Sequence, residues 1–201
     1  MAKKLVAIVG SYRREGIIHQ AVEGVLRQTR ESGHEIEIER IDLLDRQVKF
    51  CTNCRVCTQA AGEQPGLCIL QDDMAGIIAA MAKADYLVLA APVNCFNVTA
   101  LFRCFLERLI CFAYWPWGRR SPRVRSKKKD KRALLISSSA MPGPLQPFLS
   151  GAPRALKAAA DLLGARTVAV LRLGGVAVRK KERLSPKVQE RIKRSTAKLL
   201  L

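Results

Sequence analysis

Four short runs, apolar almost from end to end, constrain this chain more than any other feature. They are "KLVAIVG" (4–10), "DYLVLAAPV" (85–93), "ALLISSS" (133–139) and "RTVAVLRL" (166–173). A strand that is apolar at successive positions must be covered on both faces of its sheet. Between the runs lie stretches with helical spacing: Ile18, Ala21, Val22, Val25 and Leu26 share one face before Gly33 ends the helix. A fifth run, "EIEIERI" (35–41), alternates strictly and reads as a half-buried edge strand. Further helices are expected from Asp72 or Asp73 to Lys83, from about Thr99 to Ile110 and from Pro147 to Leu163. Ser185 and Pro186 are expected to open a basic helix over 185–200. Parallel strands need long crossovers, so this alternation predicts a doubly wound α/β sheet. A chain of 201 residues suits one domain, 1–201, with one well-buried core.

In such a sheet ligands bind beyond the carboxyl ends of the strands. The loops 10–17, 92–98 and 137–145 are therefore the candidate site. "GSYRREG" (10–16) leaves the first strand and opens a helix, whose N–H groups and positive end favour a phosphate. It is neither a Walker loop nor G-x-G-x-x-G. Ser11 adds a hydroxyl and Arg13 a charge-assisted donor. In the second loop a strand ends at Pro92, and polar and aromatic residues then lead to a helix at Thr99, which suits a flat ring lying against backbone.

The formal net charge is +18, but it is localised. Residues 119–132 hold nine basic residues and one acid, and 179–201 hold nine and two. A solvated loop and a basic tail are the simplest reading; nucleic acid or an anionic surface is the rival. The basic runs lack the interleaved aromatics of single-strand platforms, so nucleic acid ranks lower. No apolar run approaches the roughly 18 residues of a membrane span. The apolar part of "MAKKLVAIVG" is shorter than the roughly 7–15 residues of a signal-peptide core, so it reads as a strand and the chain as cytoplasmic.

Seven cysteines, an odd number, also favour a reducing compartment. Cys51, Cys54 and Cys57 form a C-x2-C-x2-C run, and Cys68 follows on a loop with Gly62, Pro65 and Gly66. Three readings compete: bare thiols, a zinc site and a [4Fe–4S] cluster. Zinc usually takes two separated C-x2-C knuckles, whereas a compact run plus one further cysteine suits a cubane. Cys95, Cys104 and Cys111 are expected to be core or pocket-lining thiols. His19 and His34, the only histidines, are expected at the surface or as caps.

Taken in order, Gly10, Ser11, Arg13 and Gly16, then the four cysteines with Asp72, Asp73 and Met74, then Pro92, Val93, Thr99, Ala100, Phe105 and Arg108 form a set. This set resembles the NAD(P)H-dependent FMN reductases, and within them the iron–sulfur flavoprotein branch. That branch reads G-S-P-R-x-x-G-N-T, C-x2-C-x2-C…C with D-D-M, and P-V-Y-x-x-x-(S/T)-A…K-x-F-x-D-R. The chain departs from it at Ile17, Ile18, Asn94, Arg103 and Glu107.

The resemblance implies a flavodoxin-like three-layer α/β/α sandwich, its five-stranded parallel sheet ordered 2-1-3-4-5. It implies FMN with its phosphate on Ser11, Arg13, Gly16, Ile17 and Ile18, and its ring against Pro92, Val93, Asn94, Cys95, Phe96 and Asn97. Ser137 and Ser138 would form a third flavin-side loop. Trp115 or Trp117 is a candidate wall for the outer ring face. Cys51, Cys54, Cys57 and Cys68 would be the metal ligands. NAD(P)H or a redox partner would supply electrons to a quinone, another small acceptor or an electron-transfer protein. The flavin itself carries such chemistry. A homodimer or homotetramer is the expected assembly.

Overall fold

The computed structural model describes residues 2–125, 128–176 and 182–201. In chain order its elements are β1 (Lys3–Val9), α1 (Ile17–Arg30), β2 (Ile36–Asp42), α2 (Met74–Ala82), β3 (Tyr86–Asn94), β4 (Asn97–Val98), α3 (Ala100–Arg108), β5 (Ala113–Tyr114), β6 (Arg123–Val124), β7 (Lys131–Ser138), α4 (Gln146–Leu149), α5 (Ala152–Leu162), β8 (Ala165–Leu173) and α6 (Pro186–Leu200). The main sheet runs β2-β1-β3-β7-β8 with every pair parallel. With the two-residue strands β4, β5 and β6 set aside, this is the expected order 2-1-3-4-5.

Alternation along β1 explains the layers, because successive side chains of a strand point to opposite faces. Leu5, Ala7 and Val9 pack with Val22 and Leu26 of α1 and Ile192 and Leu199 of α6. Val6 and Ile8 pack on the other face with Met74 and Met81 of α2, Phe102 and Phe105 of α3, and Leu156 of α5. Phe102 and Phe105 meet edge to face, their centroids 5.4 Å apart. The strictly alternating β2 lies at the sheet edge, where only one face needs full cover.

Three expectations change in detail. The helix expected over 147–163 is two helices, α4 and α5, separated at Ser150 and Gly151. The Phe96 carbonyl accepts from Gly151 N at 2.7 Å, and a Cβ on Gly151 would stand 2.9 Å from the Asn97 amide nitrogen, so a loop docks where a continuous helix would run. The helix opened by Thr99 ends at Arg108 and tightens into a 3-10 turn, Leu109–Phe112. The basic stretch 119–132 contains β6 and the start of β7; its residues 126 and 127 lie outside the described residues, as do 179–181 of the second basic stretch. Among the described residues no helix is long and apolar enough to cross a membrane.

The strand tips are tied by Thr99. Its hydroxyl donates to the Gly10 carbonyl at 2.6 Å and accepts from Phe102 N at 3.3 Å, while Gly10 N donates to Ala90 O at 2.8 Å. Gly10 must be glycine, because a Cβ there would lie 2.7 Å from Phe102 Cβ. Thr99→Val keeps the shape but leaves the buried Gly10 carbonyl and the cap unpaired. It is expected to cost about 1–3 kcal/mol with an unchanged m-value in urea unfolding.

Candidate functional site

The loop after β1 reaches α1 through Gly16, whose N–H donates to Arg13 O at 2.9 Å. No side chain caps α1, and its first turn holds no acid. Its first N–H groups are orphans of the kind that take an anion. Ser11 is buried, and its Oγ accepts from Arg13 N at 3.3 Å. Ile17 and Ile18 are core residues packed with Val22 and Leu26, so positions 17 and 18 offer an anion only backbone N–H.

Beyond β3 the chain reverses in two residues. Cys95 and Phe96 both have positive φ, 44° and 61°, between Asn94 and Asn97, which pair across the hairpin. This is the φ signature of the tight hairpin turn that normally calls for Asn and Gly. Two L side chains in that region cost of order 1–3 kcal/mol each, so the surroundings must hold them there. The Phe96–Gly151 bond does so, and Asn97 Oδ1 accepts from Val98 N at 2.9 Å. Phe96 stands 73% exposed at the tip, and Cys95 is exposed beside it. Tyr12, Leu145 and, in α4, Phe148 and Leu149 are further exposed apolar groups at this end.

The third loop follows β7, where Pro92 pairs with Ser138 and Ala91 with Ser137. Ser137 Oγ donates to Gln146 Oε1 at 2.6 Å, and Gln146 Nε2 donates to Ser139 Oγ at 2.9 Å. Ser137 is thus engaged in shaping its own loop. Gln146, fully buried, lies one residue ahead of the expected 147–163 helix and carried no signal of this role.

The cysteine loop forms a second unit. Asn53 and Arg55 have positive φ, 57° and 59°, on either side of Cys54. Cys57 is buried, Cys51 and Cys68 half-buried, and Cys54 exposed. Burial pushes the Cys57 thiol up, and the nearby Cys68, Cys51 and Cys54 sulfurs push the same way, so the four thiols share one neighbourhood. The N–H of Val56 and the Thr52 hydroxyl hold Cys54 below its usual value. Cys104 and Cys111 are buried, as core thiols should be, but they adjoin this loop. Cys111 is pushed up to about 12 by burial, then by Cys57 and Cys68. Among the described residues no three His, Cys, Asp or Glu side chains are set to hold a metal ion.

Two arginines clamp this loop, and one of them, Arg125, comes from the basic run that reads as solvated charge. Arg125 donates from Nε to Cys111 O (2.9 Å), from Nη2 to Cys57 O (3.0 Å) and from Nη1 to Ala60 O (2.9 Å) and Gly62 O (3.2 Å). Arg55 lies between Trp115 and Trp117, its guanidinium carbon 3.9 and 4.0 Å from the two ring centroids. Both tryptophans therefore face the cysteine loop. Neither contact could be read without knowing that residues 55–62 and 111–125 meet.

Arg108 joins the loop to the core. It is buried, donates to Asp72 and to Lys49 O at 2.9 Å, and reaches Cys68 Sγ at 3.6 Å. Asp72 also accepts from Lys49 N at 2.8 Å and Met74 N at 3.0 Å. Burial raises the Asp72 carboxyl, but Arg108 and these two N–H groups outweigh it and hold the group below its usual value.

The family model for NADPH-dependent FMN reductases matches residues 3–182. An iron–sulfur flavoprotein of Archaeoglobus fulgidus is 31% identical over 113 residues, which are 56% of this chain and 48% of that protein. One from Methanocaldococcus jannaschii is 32% identical over 105 residues, 52% of this chain and 51% of that protein. The chain thus spans about half the length of the curated relatives it matches. Among solved structures, an FMN-dependent NADH-azoreductase from Bacillus anthracis in complex with FMN shares the fold at TM-score 0.71 and 17% identity, over 99% of both chains. An NAD(P)H:quinone oxidoreductase from Methanothermobacter marburgensis does so at TM-score 0.67 and 17% identity, over 100% of this chain and 98% of that one.

Two outcomes follow from this geometry. In metal-free protein a thiol reagent should label Cys54 first, while Arg125→Ala should speed labelling of Cys57 and Cys111 by about tenfold or more, read by peptide mass spectrometry. The ionised Asp72 contributes stability that is complete above its unfolded value near 4 and is lost as pH falls through its lower folded value. Asp72→Ala should cost about 3–5 kcal/mol at pH 7 in urea unfolding, and less as the pH drops below 4.

Proposed function

Because this chain belongs to the NADPH-dependent FMN reductase family, we propose that it is an FMN-dependent oxidoreductase with its site at the carboxyl ends of β1, β3 and β7. The observation that carries this reading is that one end of the sheet joins an uncapped helix N-terminus to a strained, exposed Cys95–Phe96 turn. An anion suits the first and a flat ring the second. When bound, FMN supplies acceptance of a hydride and release of electrons singly or in pairs. The chain's part is to bind and orient. The α1 N–H groups, Ser11 and Arg13 would hold the phosphate. Pro92 to Asn97 would present backbone and the Phe96 ring to the flavin, and Ser138 would border it. NAD(P)H is the proposed donor, with a quinone, another small acceptor or an electron-transfer protein receiving the electrons.

Cys51, Cys54, Cys57 and Cys68 are proposed as the ligands of a [4Fe–4S] cluster. A cubane spreads its thiolates more widely than a single ion does, and the gathered, partly buried thiols suit that donor set. Such a cluster supplies one-electron relay. Arg108, reaching Cys68, would favour negative charge on that sulfur. Arg119, Arg120 and Arg123 are exposed near the exposed Trp117, which supports docking of an acidic electron-transfer protein over nucleic acid, since Arg55 and Arg125 are already engaged. A second copy of the chain is the proposed cover for Phe96, Phe148 and Leu149. Seven free thiols fit a cytoplasmic setting.

Titrating FMN into apoprotein should quench flavin fluorescence at one FMN per chain, and NADH or NADPH should then bleach the oxidised-flavin absorbance. Unquenched FMN would remove the enzymatic reading. Anaerobic reconstitution with iron and sulfide should load about four irons per chain, and Cys57→Ser should lower that number; an iron-free product would remove the cluster and leave the flavin reading standing.

A further inference from the structure

His19, expected at the surface, is buried at 6% exposure in the first turn of α1. Arg40 Nη2 approaches its Nδ1 at 2.6 Å, and Asp42 Oδ1 is 3.5 Å from the same nitrogen. A guanidinium only donates, so Nδ1 must accept, and the proton of the neutral ring resides on Nε2. Burial first, with the Arg40 charge adding to it, holds the imidazole below its usual value against Asp42, so the neutral form prevails near pH 7.

The Nε2–H is then a buried donor with a fixed direction, and among the described residues it completes no hydrogen bond. The Ser11 carbonyl is close enough to favour a proton on the ring but falls short of bonding geometry. His19 lines one groove with Arg13, Arg14 and Gly16 of the loop between β1 and α1, with Arg40, and with Glu190 and Lys193 of α6. The unmade bond thus lies beside the Ser11 carbonyl, in the loop that precedes an uncapped helix. Nε2 is too enclosed to touch a ligand itself. A small inward shift of the 11–12 peptide would seat the Ser11 carbonyl on Nε2–H.

We propose that His19 is the positioning residue of a phosphomonoester site, its Nε2–H capturing the Ser11 carbonyl when the loop closes on the anion. This rests on the flavin reading above and assigns to His19 the discrimination between FMN and riboflavin. It also accounts for a loop that works with Ile17 and Ile18, whose side chains are committed to the core. The Arg40–Asp42 pair fixes the tautomer; the imidazole links that pair to the loop.

The test compares Kd for FMN and for riboflavin, by flavin fluorescence, in wild type, His19→Phe and His19→Gln. His19→Phe should reduce the preference for FMN over riboflavin about tenfold while leaving riboflavin affinity unchanged, and His19→Gln, which keeps a donor, should restore most of it. With only two histidines in the chain, the His19 Nε2–H signal is also assignable by NMR in wild-type protein. FMN should slow its exchange with solvent, and riboflavin should not. Equal loss of both flavins in His19→Phe, or an Nε2–H that does not respond to FMN, would overturn the inference alone. Failure of the wild type to bind FMN would overturn the flavin reading and this inference together.

Discussion

One hydroxyl group sets the geometry on which the rest depends. Thr99 Oγ1 caps α3 and at the same time grips the Gly10 carbonyl, so the loop after β1 and the helix after β3 cannot move apart. Gly10 lies so close to Phe102 that no side chain fits between them. The result is a tied floor at the carboxyl end of the sheet, on which strained pieces can be mounted. The left-handed Cys95–Phe96 turn is one such piece, and it is held from the far side by α5 through Gly151. Local strain of this kind persists only where the surroundings over-determine it.

The cysteine loop follows a different logic. It has little regular structure, and several of its carbonyls find donors elsewhere in the chain. Arg125, just after β6, supplies three of those contacts, to Cys57, Ala60 and Gly62, and the Trp115–Arg55–Trp117 stack adds a second clamp. Gly66 passes so near the Cys57 carbonyl that a Cβ would overlap it. A basic stretch that looks like solvated surface therefore begins as the lid that gives the thiols a fixed arrangement. Arg108 ties the same unit to α2 and the core through Asp72.

Much of this was legible in the residues. Runs such as "LVLAA" announce strands covered on both faces, and the strict alternation of 35–41 announces an edge. Those signals are local and mark the doubly wound class; the sheet order came from the resemblance to the FMN reductases. The interruption of the expected 147–163 helix was not legible, because its cause is a bond from Phe96, some fifty residues away in sequence. The roles of Arg55, Arg125 and Gln146 were hidden for the same reason: a charge or amide has no periodicity that reveals its partner. His19 was misplaced because a lone histidine on a helix carries no mark of burial; the mark lies in Arg40 and Asp42 on the neighbouring strand.

Hydrogen exchange of the apoprotein with and without FMN tests the central claim most directly, because it locates the ligand without assuming its contacts. Protection confined to residues 10–18, 92–97 and 137–139 is the predicted result. Protection that spares these three loops would contradict a flavin site at the strand tips.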